Sequence, residues 1–486
     1  MSAPAPARAC AYTVLRRVFE DGAYADLALR AAARELDARD RALAMRLAYG
    51  AIQRRGTLDH LIARLAERPV GRLDAPLLAA LRLGLYELLY LRGAPDHAVV
   101  ADAVELAKRA GRGHGLVNAV LRRAAREGGS LLAGLDDATP EQAAVAHSHP
   151  LWIARMWWEE LGPTQARALL ACDNEPAELA LRANTLVTDA STLAAELRAP
   201  GGAGQAAGAA ETGGTRFHPD PWLPEALVVE GPLDVYDSPL WRAGAFAAQS
   251  RAAMLPARVL GPRPGERVLD LCAAPGGKTT HLAALMEDRG EVVAVERDPR
   301  RAEELRGTVR RMRTGCVRVV VGDAAQPLGD IAEPSRDLAK PPTGPGGQHG
   351  SGFDRVLVDP PCSGLGTLQA RADLRWRATP QGVAELVQVQ RAILSNGAQA
   401  VRPGGVLVYS TCTISPSENE RQISDFLESS PQFVLDDLSR EPVLETPGGA
   451  RGIGTPAMDG RAVLTLPHRD RTAGFFIARL RRVAER

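Results

Sequence analysis

From about Gly231 onward this 486-residue sequence alternates short Val/Leu-rich runs with helix-length segments. That rhythm restricts the C-terminal half to an α/β domain whose parallel strands are joined by crossover helices. ERVLDL precedes a glycine turn and the helix KTTHLAALMED, VVAVER precedes PRRAEELRGTVRRM, and VRVVVGD follows. DRVLVDPP, VAELVQVQRAILSNGAQAV, GGVLVYSTC and SENERQISDFLES continue the pattern. AVLTLP and GFFIARLRR close the chain and suit an antiparallel hairpin at a sheet edge. Between 324 and 351 runs a Pro/Gly-rich tract, LAKPPTGPGGQHGSG, expected to be a disordered loop inserted in this domain.

The length calls for two or three domains. From Ala7 to about Arg126 the residues are nearly all helix-forming, with apolar positions at three- and four-residue spacing. LLAALRLGLYELLYL is apolar over most of its circumference, as a central bundle helix must be. Pro69, Pro76 and Pro95 break the run, and six or seven helices are expected. Between about Pro140 and Pro232, HPLWIARMWWEELGPTQARALLACDN reads as two helices and ELALRANTL as a strand with a turn, so a small α/β connector is expected. The Gly/Ala-rich stretch 199–215 reads as a flexible insertion. Net charge is only +1, yet residues 1–130 carry 20 arginines and Lys108 against 14 acids, a balance of +7. That excess is either an ordinary solvated helical surface or a footprint for phosphates.

Six cysteines without a CxxC pair argue against a disulfide framework and against a zinc site, and point to a reduced, cytoplasmic compartment. No apolar run approaches the roughly 20 residues that cross a bilayer, so no membrane partner is expected.

The turn Cys272–Lys278 lies between a strand and a helix, where backbone amides approach a ligand closely and the helix start adds a positive field. It is not a P-loop, because no glycine stands five residues before Gly277, and it is not GxGxxG. Lys278 is one of only three lysines among 59 basic residues, which suggests a need for a compact ammonium. Glu296 ends the next strand, where a carboxylate can accept from both hydroxyls of a ribose, with Asp298 the lesser candidate. Asp323 closes VRVVVGD and is placed for an adenine amino group. Either acid alone suits a helix N-cap; in series after successive strands they read as a binding rim.

Cys362 in VLVDPPCSG and Cys412 in LVYSTCT each follow a strand end. Cys10, Cys172 and Cys316 are accounted for as small buried residues. Two thiols at the carboxyl edge beside a cofactor suit attack on an electron-poor ring. A thiolate added at C6 of cytosine turns the ring into an enamine-like species whose C5 can take a methyl group. A carboxyl group at N3 and the exocyclic amine stabilises the developing charge, and Asp359 is placed for it.

VLVDPPCSGLGTLQARADLRW, LVYSTCTISPSENE and LDLCAAPGGKT together resemble the Nol/Nop/Sun family of RNA cytosine-5 methyltransferases, and GLVNAVLRR and its surroundings resemble the NusB-like RNA-binding domain joined to the bacterial Sun/Fmu-type members. The resemblance implies a NusB-like bundle over 1–135, a connector over 140–232, and a Rossmann-like S-adenosylmethionine (SAM) methyltransferase domain over 233–486. It implies methylation of an exposed-loop cytosine in RNA, with small-subunit ribosomal RNA the expected partner, and a monomer without DNA or metal. Cys412 matches the nucleophile and Cys362 the cysteine needed for product release. Cys272, Ala273, Ala274, Pro275, Gly276, Gly277 and Lys278 match the SAM loop, Glu296 the ribose acid, and Asp323 and Asp359 the other cofactor-site acids. Two departures stand out: Glu296 replaces a more usual Asp, and Ser250 stands where an acid commonly follows Gln249.

Three other readings compete. DPPC resembles the DPPY of amino-group methyltransferases, but cysteine cannot stack on a base and Cys412 is left without a role. A DNA cytosine-5 enzyme would use the Pro361–Cys362 pair and again leaves Cys412 idle. An RNA-binding assembly factor with a vestigial enzyme domain is opposed by the intact loop, acids and thiols.

Overall fold

The structure is a computed structural model describing residues 4–199, 214–329, 352–439, 441 and 453–484, apart from positions 92, 110 and 112. Of the two expected insertions, 200–213 and 330–351 lie outside the described residues. The chain forms two compact units, Met1–Pro176 with Leu368–Thr379, and Ala177–Thr367 with Pro380–Arg486. Compactness thus divides the chain at 176/177, whereas the sequence suggests boundaries near 135–140 and 232.

The first unit is helical: α1 (Pro6–Phe19), α2 (Ala25–Ala32), α3 (Ala38–Gln53), α4 (Arg55–Ala66), α5 (Ala75–Tyr90), α6 (Asp96–Arg109), α7 (His114–Ala133), α8 (Pro140–Ala146) and α9 (Leu151–Cys172). Seven of them lie in the stretch expected to form six or seven. Proline sets the boundaries, because it fits the first helical turn and blocks an interior one: Pro6, Pro76 and Pro140 each open a helix. α5 is buried along most of its length, charges included. Those charges are paired: Arg82 with Asp59 at 2.7 Å and Glu87 with Arg8 at 2.6 Å. An unpaired charge at such a depth would cost several kcal/mol, so ~3–5 kcal/mol rides on each partner. The two helices expected around LGPT are both present within α9, separated by a break where Gly162 (φ 77°) precedes Pro163.

In the second unit β1 (Leu179–Ala183), α10 (Ala190–Arg198), β2 (Arg216–Pro219), β3 (Ala226–Glu230), α11 (Pro239–Arg242) and β4 (Phe246–Ala248) build a four-stranded antiparallel sheet ordered β2-β3-β1-β4. After α12 (Arg251–Leu260) come β5 (Arg267–Leu271), α13 (Gly277–Leu285), β6 (Glu291–Glu296), α14 (Pro299–Met312), β7 (Val317–Val321) and β8 (Phe353–Val358). The chain then gives Leu368–Thr379, carrying α15 (Leu374–Arg377), to the first unit. It resumes with α16 (Pro380–Ala400), β9 (Val401–Thr411), α17 (Glu420–Ser429), β10 (Phe433–Leu435), β11 (Thr455–Ala457), β12 (Ala462–Thr465), α18 (Pro467–Asp470) and β13 (Phe475–Arg482).

The large sheet is ordered β11-β12-β13-β9-β8-β5-β6-β7, with β10 on β13. β7 through β9 pair in parallel, while β13 and β12 are antiparallel, so the expected terminal hairpin is present. Leu269, Val293, Val356 and Leu407 pack beneath one face and Val268, Val292, Leu357 and Val408 beneath the other. Burial on both faces is what the continuous Val/Leu runs require. From β5 the chain winds outward through β6 and β7, then returns to β8 on the opposite side of β5. The strand order therefore reverses at β5/β8, and ligands of such sheets bind outside the strand ends at that point.

Candidate active site

The β5–α13 turn is shaped by backbone conformation. Cys272 lies in the left-handed region (φ 65°), and so does Gly276 (φ 104°), which caps α13. Its φ favours glycine, and a Cβ on Gly276 would stand 2.7 Å from Leu305 Cδ1, so that side chain would have to shift. The Ala274–Pro275 peptide is cis. Ala273 N–H donates to Val295 O at 2.9 Å, tying the turn to β6. Beneath it, Thr279 Oγ1 donates to buried Asp270 Oδ2 at 2.6 Å, and burial pushes the Asp270 carboxyl up to about 7. Burial, reinforced by Asp359 and Glu296, likewise pushes the Cys272 thiol up to about 12.

Glu296 is buried at the end of β6; its Oε1 accepts from Asp298 N–H at 3.0 Å. Its Oε2 is buried without a hydrogen-bond partner, the Arg301 Nη1 cation being 3.5 Å away. A buried acceptor left open at a strand end fits a ligand hydroxyl. Asp298 does what a helix start asks, capping α14 through Arg300 N–H at 2.8 Å. Asp323 follows the edge strand β7 and accepts from Ala325 N–H at 3.0 Å.

Asp359, just past β8, joins the two halves of the site. Its Oδ2 accepts from Lys278 Nζ at 2.7 Å and its Oδ1 from Ser410 Oγ at 2.8 Å. Burial alone would lower the Lys278 pKa, but the carboxylate outweighs it and the ammonium is held above its ordinary value. Lys278 Nζ also stands 5.0 Å from the Phe475 ring centre. Cys362 Sγ and Cys412 Sγ, each half-buried, are 3.3 Å apart. The hydrogen bond with Cys412, then burial, pushes the Cys362 thiol well above its ordinary value.

The loops carrying these thiols share a clasp that sequence reasoning missed. Glu418 is fully buried and accepts from Ser363 N–H at 2.8 Å, Ser363 Oγ at 2.5 Å and Gln390 Nε2 at 3.0 Å. Ser363 Oγ also meets Thr413 Oγ1 at 2.7 Å, and Gln390 Nε2 reaches Pro361 O at 3.0 Å. Asn419 accepts from Thr411 Oγ1 at 2.5 Å and donates to Thr413 O at 3.0 Å. Backbone closes the arrangement: Gly366 N–H donates to Cys412 O at 3.0 Å, and Gly474 N–H to Gly366 O at 2.7 Å. One signal was available, since SPSENE begins at Ser415, just past the second cysteine.

A second missed network backs the β5–α13 turn. Fully buried Arg182 donates to Gln249 Oε1 at 2.8 Å, Gly277 O at 3.2 Å and Thr280 Oγ1 at 2.8 Å. Beside it buried Glu225 accepts from His281 Nε2 at 2.7 Å and from Arg258 Nε at 2.9 Å. Burial drives the His281 pKa down to about 4, leaving its ring neutral. Ser250, where an acid was expected, caps α12 by accepting from Ala253 N–H at 3.3 Å. Among the described residues no cluster of His, Cys, Asp and Glu could hold a metal ion, and no helix is long and apolar enough to cross a membrane.

Three family models match this chain: the NusB family over residues 5–126, the ferredoxin-like domain of RsmF/B-like methyltransferases over 149–236, and 16S rRNA methyltransferase RsmB/F over 257–481. The chain is 35% identical to a probable ribosomal RNA small subunit methyltransferase B of Synechocystis sp., over 98% of this chain and 99% of that one. It is 32% identical to ribosomal RNA small subunit methyltransferase B of Vibrio cholerae, over 95% and 98%. Among solved structures, that of PH0851 covers 99% of both chains with a TM-score of 0.74 at 26% identity.

Proposed function

This chain belongs to the RsmB/F family of 16S rRNA methyltransferases, and we propose that it methylates C5 of a cytosine in small-subunit ribosomal RNA through a covalent bond between Cys412 and C6. It is an SAM-dependent RNA methyltransferase; base, ring position and covalent route are the finer reading. The observation that carries them is the pair of thiols 3.3 Å apart beside the Lys278–Asp359 pair, at the reversal of strand order.

Cys272 to Lys278, Glu296 and Asp323 would hold SAM, with Glu296 Oε2 open to a ribose hydroxyl. When bound, SAM supplies an electrophilic methyl group. The Cys412 sulfur bonds to C6 and the displaced electron pair moves to C5, which takes the methyl. Asp359 faces N3 and the exocyclic amine and steadies the charge in the ring. Cys362 first passes its own proton to water, and its thiolate, disfavoured by the hydrogen bond with Cys412 and by burial, is then a strong base. It then removes the C5 proton, and the returning electron pair breaks the Cys412–C6 bond. The three-part division into bundle, connector and catalytic domain, with boundaries near 135–140 and 232, belongs to this proposal. The +7 balance of residues 1–130 supports RNA affinity in the bundle.

The two cysteines give opposite failures. Cys412→Ala is expected to lose methyl transfer while keeping SAM and RNA binding. Cys362→Ala is expected to transfer the methyl and then stall, leaving protein joined to RNA as a slow band on a denaturing gel. A band from Cys412→Ala but not from Cys362→Ala reverses the roles. Wild-type protein that methylates cytosine but never traps on 5-fluorocytidine RNA sinks the covalent route.

A further inference from the structure

The helical unit contains a cavity of about 350 Å³, within the ~300–1,000 Å³ of small-molecule sites. Its lining includes Tyr24 and Asp26 at the start of α2, Tyr49 of α3, and Arg371, Asp373 and Arg377 from the segment Leu368–Thr379. None of these has a part in the methyl-transfer site.

Three features give the cavity a chemistry. Tyr24 is 54% exposed, unusual for so large a ring, and the Arg377 guanidinium lies over it at 4.0 Å from the centroid. Arg377 is fixed there by donating to Gly22 O at 2.7 Å, so the aromatic platform is built before any ligand arrives. Asp373 is only 7% exposed, and its Oδ2 is buried without a hydrogen-bond partner; the Arg377 Nη1 cation is 3.9 Å away, beyond hydrogen-bond reach. A buried acceptor of this kind asks for an N–H donor. Arg371 is exposed at the rim, where a phosphate would find it.

A flat ring, an open acceptor and rim cations match a nucleotide stacked out of a single strand, the way RNA bases are taken by aromatic and arginine planes. Among the four bases guanine alone offers adjacent ring N–H and amino donors with no acceptor between them. An acceptor-only carboxylate favours that edge and meets an acceptor or a lone donor in the others. We propose that this cavity is a guanine-binding site for an unpaired nucleotide of the RNA, separate from the cytosine that is methylated. It rests on the RNA-methyltransferase reading above and names a second contact that this reading lacks.

The test titrates GMP, AMP, CMP and UMP into the full chain presaturated with S-adenosylhomocysteine, which blocks the cofactor site, and follows binding by NMR. GMP is expected to bind most tightly. Tyr24→Ala should weaken it about ten-fold, the scale of one lost base stack, and Asp373→Asn should erase the preference over the other three. Equal binding of all four nucleotides by wild type, or GMP affinity unchanged in Tyr24→Ala, overturns the proposal. Should Asp373→Asn fail to melt cooperatively, Tyr24→Ala decides, because its ring is mostly in solvent. Methyl transfer to small-subunit RNA is measured on the same wild-type sample. Transfer without guanine selectivity removes the cavity's role alone; absence of transfer removes the functional reading beneath it.

Discussion

The proposed cofactor turn and the cysteine loops stand on the ends of neighbouring strands, yet they are held in shape by different means. The turn owes its form to backbone: two left-handed residues, Cys272 and Gly276, the second of which caps α13. The cysteine loops owe theirs to one buried side chain, Glu418, which accepts from Ser363 and Gln390 while Ser363 Oγ reaches across to Thr413. The difference follows from what the proposed reaction asks of each. A cofactor is bound by many amides at once, which suits a rigid backbone curve. Two sulfurs must be held at one separation, which suits a clasp common to both loops.

The largest effect is expected at that clasp. Glu418→Ala strands the Ser363 and Gln390 donors and lets the thiols part, and ~1 Å of misplacement costs on the order of 100-fold in rate. Methyl transfer should fall by about that factor with SAM affinity nearly unchanged, and Glu418→Gln should recover part of it. Full activity in Glu418→Ala, read by tritiated methyl transfer, would show that the loops need no clasp and break the contrast. Glu296→Ala should act the other way, weakening SAM by about 10-fold or more through a lost bond to a charged acceptor, ~1.5–3 kcal/mol. Unchanged SAM affinity by calorimetry would move the ribose acid elsewhere. Gly276→Ala comes next: left-handed strain of ~1–2 kcal/mol predicts roughly 5–30-fold weaker SAM binding. Its rate at saturating SAM should be nearly intact, a KM effect that sharpens the division between turn and clasp.

The smallest effect concerns Asp270, the one buried acid under the turn. Its carboxyl is pushed up to about 7 by burial, against ~3.9 in an unfolded chain. Between those values the folded chain keeps a proton that the unfolded chain has lost. This residue's contribution therefore falls as pH rises from about 4 to 7 and is level above. Asp270→Asn should remove that slope, seen as a variant-minus-wild-type difference in Tm that grows in favour of the variant up to pH 7.

The same contrast explains what the chain reveals before folding. The sheet, its helices, the terminal hairpin and the seven-helix stretch follow from period and proline, because local pattern decides them. Cys272–Lys278, Glu296 and Asp323, the residues proposed to hold SAM, stand out in the sequence because strand ends and glycines mark them. Glu418 and Arg182 are not, since a buried Glu or Arg looks like any surface charge until its partners are known. Arg182 meets Gln249 and Thr280, 67 and 98 residues away. The split at 176/177 is hidden for a similar reason. Arg375, fully buried, donates to Ser148 O at 3.1 Å and Asp173 O at 2.8 Å, and Trp376 Nε1 donates to Ile52 O at 2.7 Å. Nothing in QARADLRWRAT marks it as part of a helical unit whose other residues all precede Ala177.

That borrowed segment sets a schedule for the protein's birth. Most of the helical unit is made ahead of the second unit, but its last piece, Leu368–Thr379, is made only after residues 177–367. At ~5–20 residues per second the bundle waits roughly 10–40 s for it. Throughout that interval the Ser148, Asp173 and Ile52 carbonyls lack the donors that later satisfy them, and the nucleotide-sized cavity lacks one wall. Anything that grips the nascent chain during the wait meets an unfinished helical unit, and the cavity's platform is completed only when most of the catalytic sequence has already been synthesised.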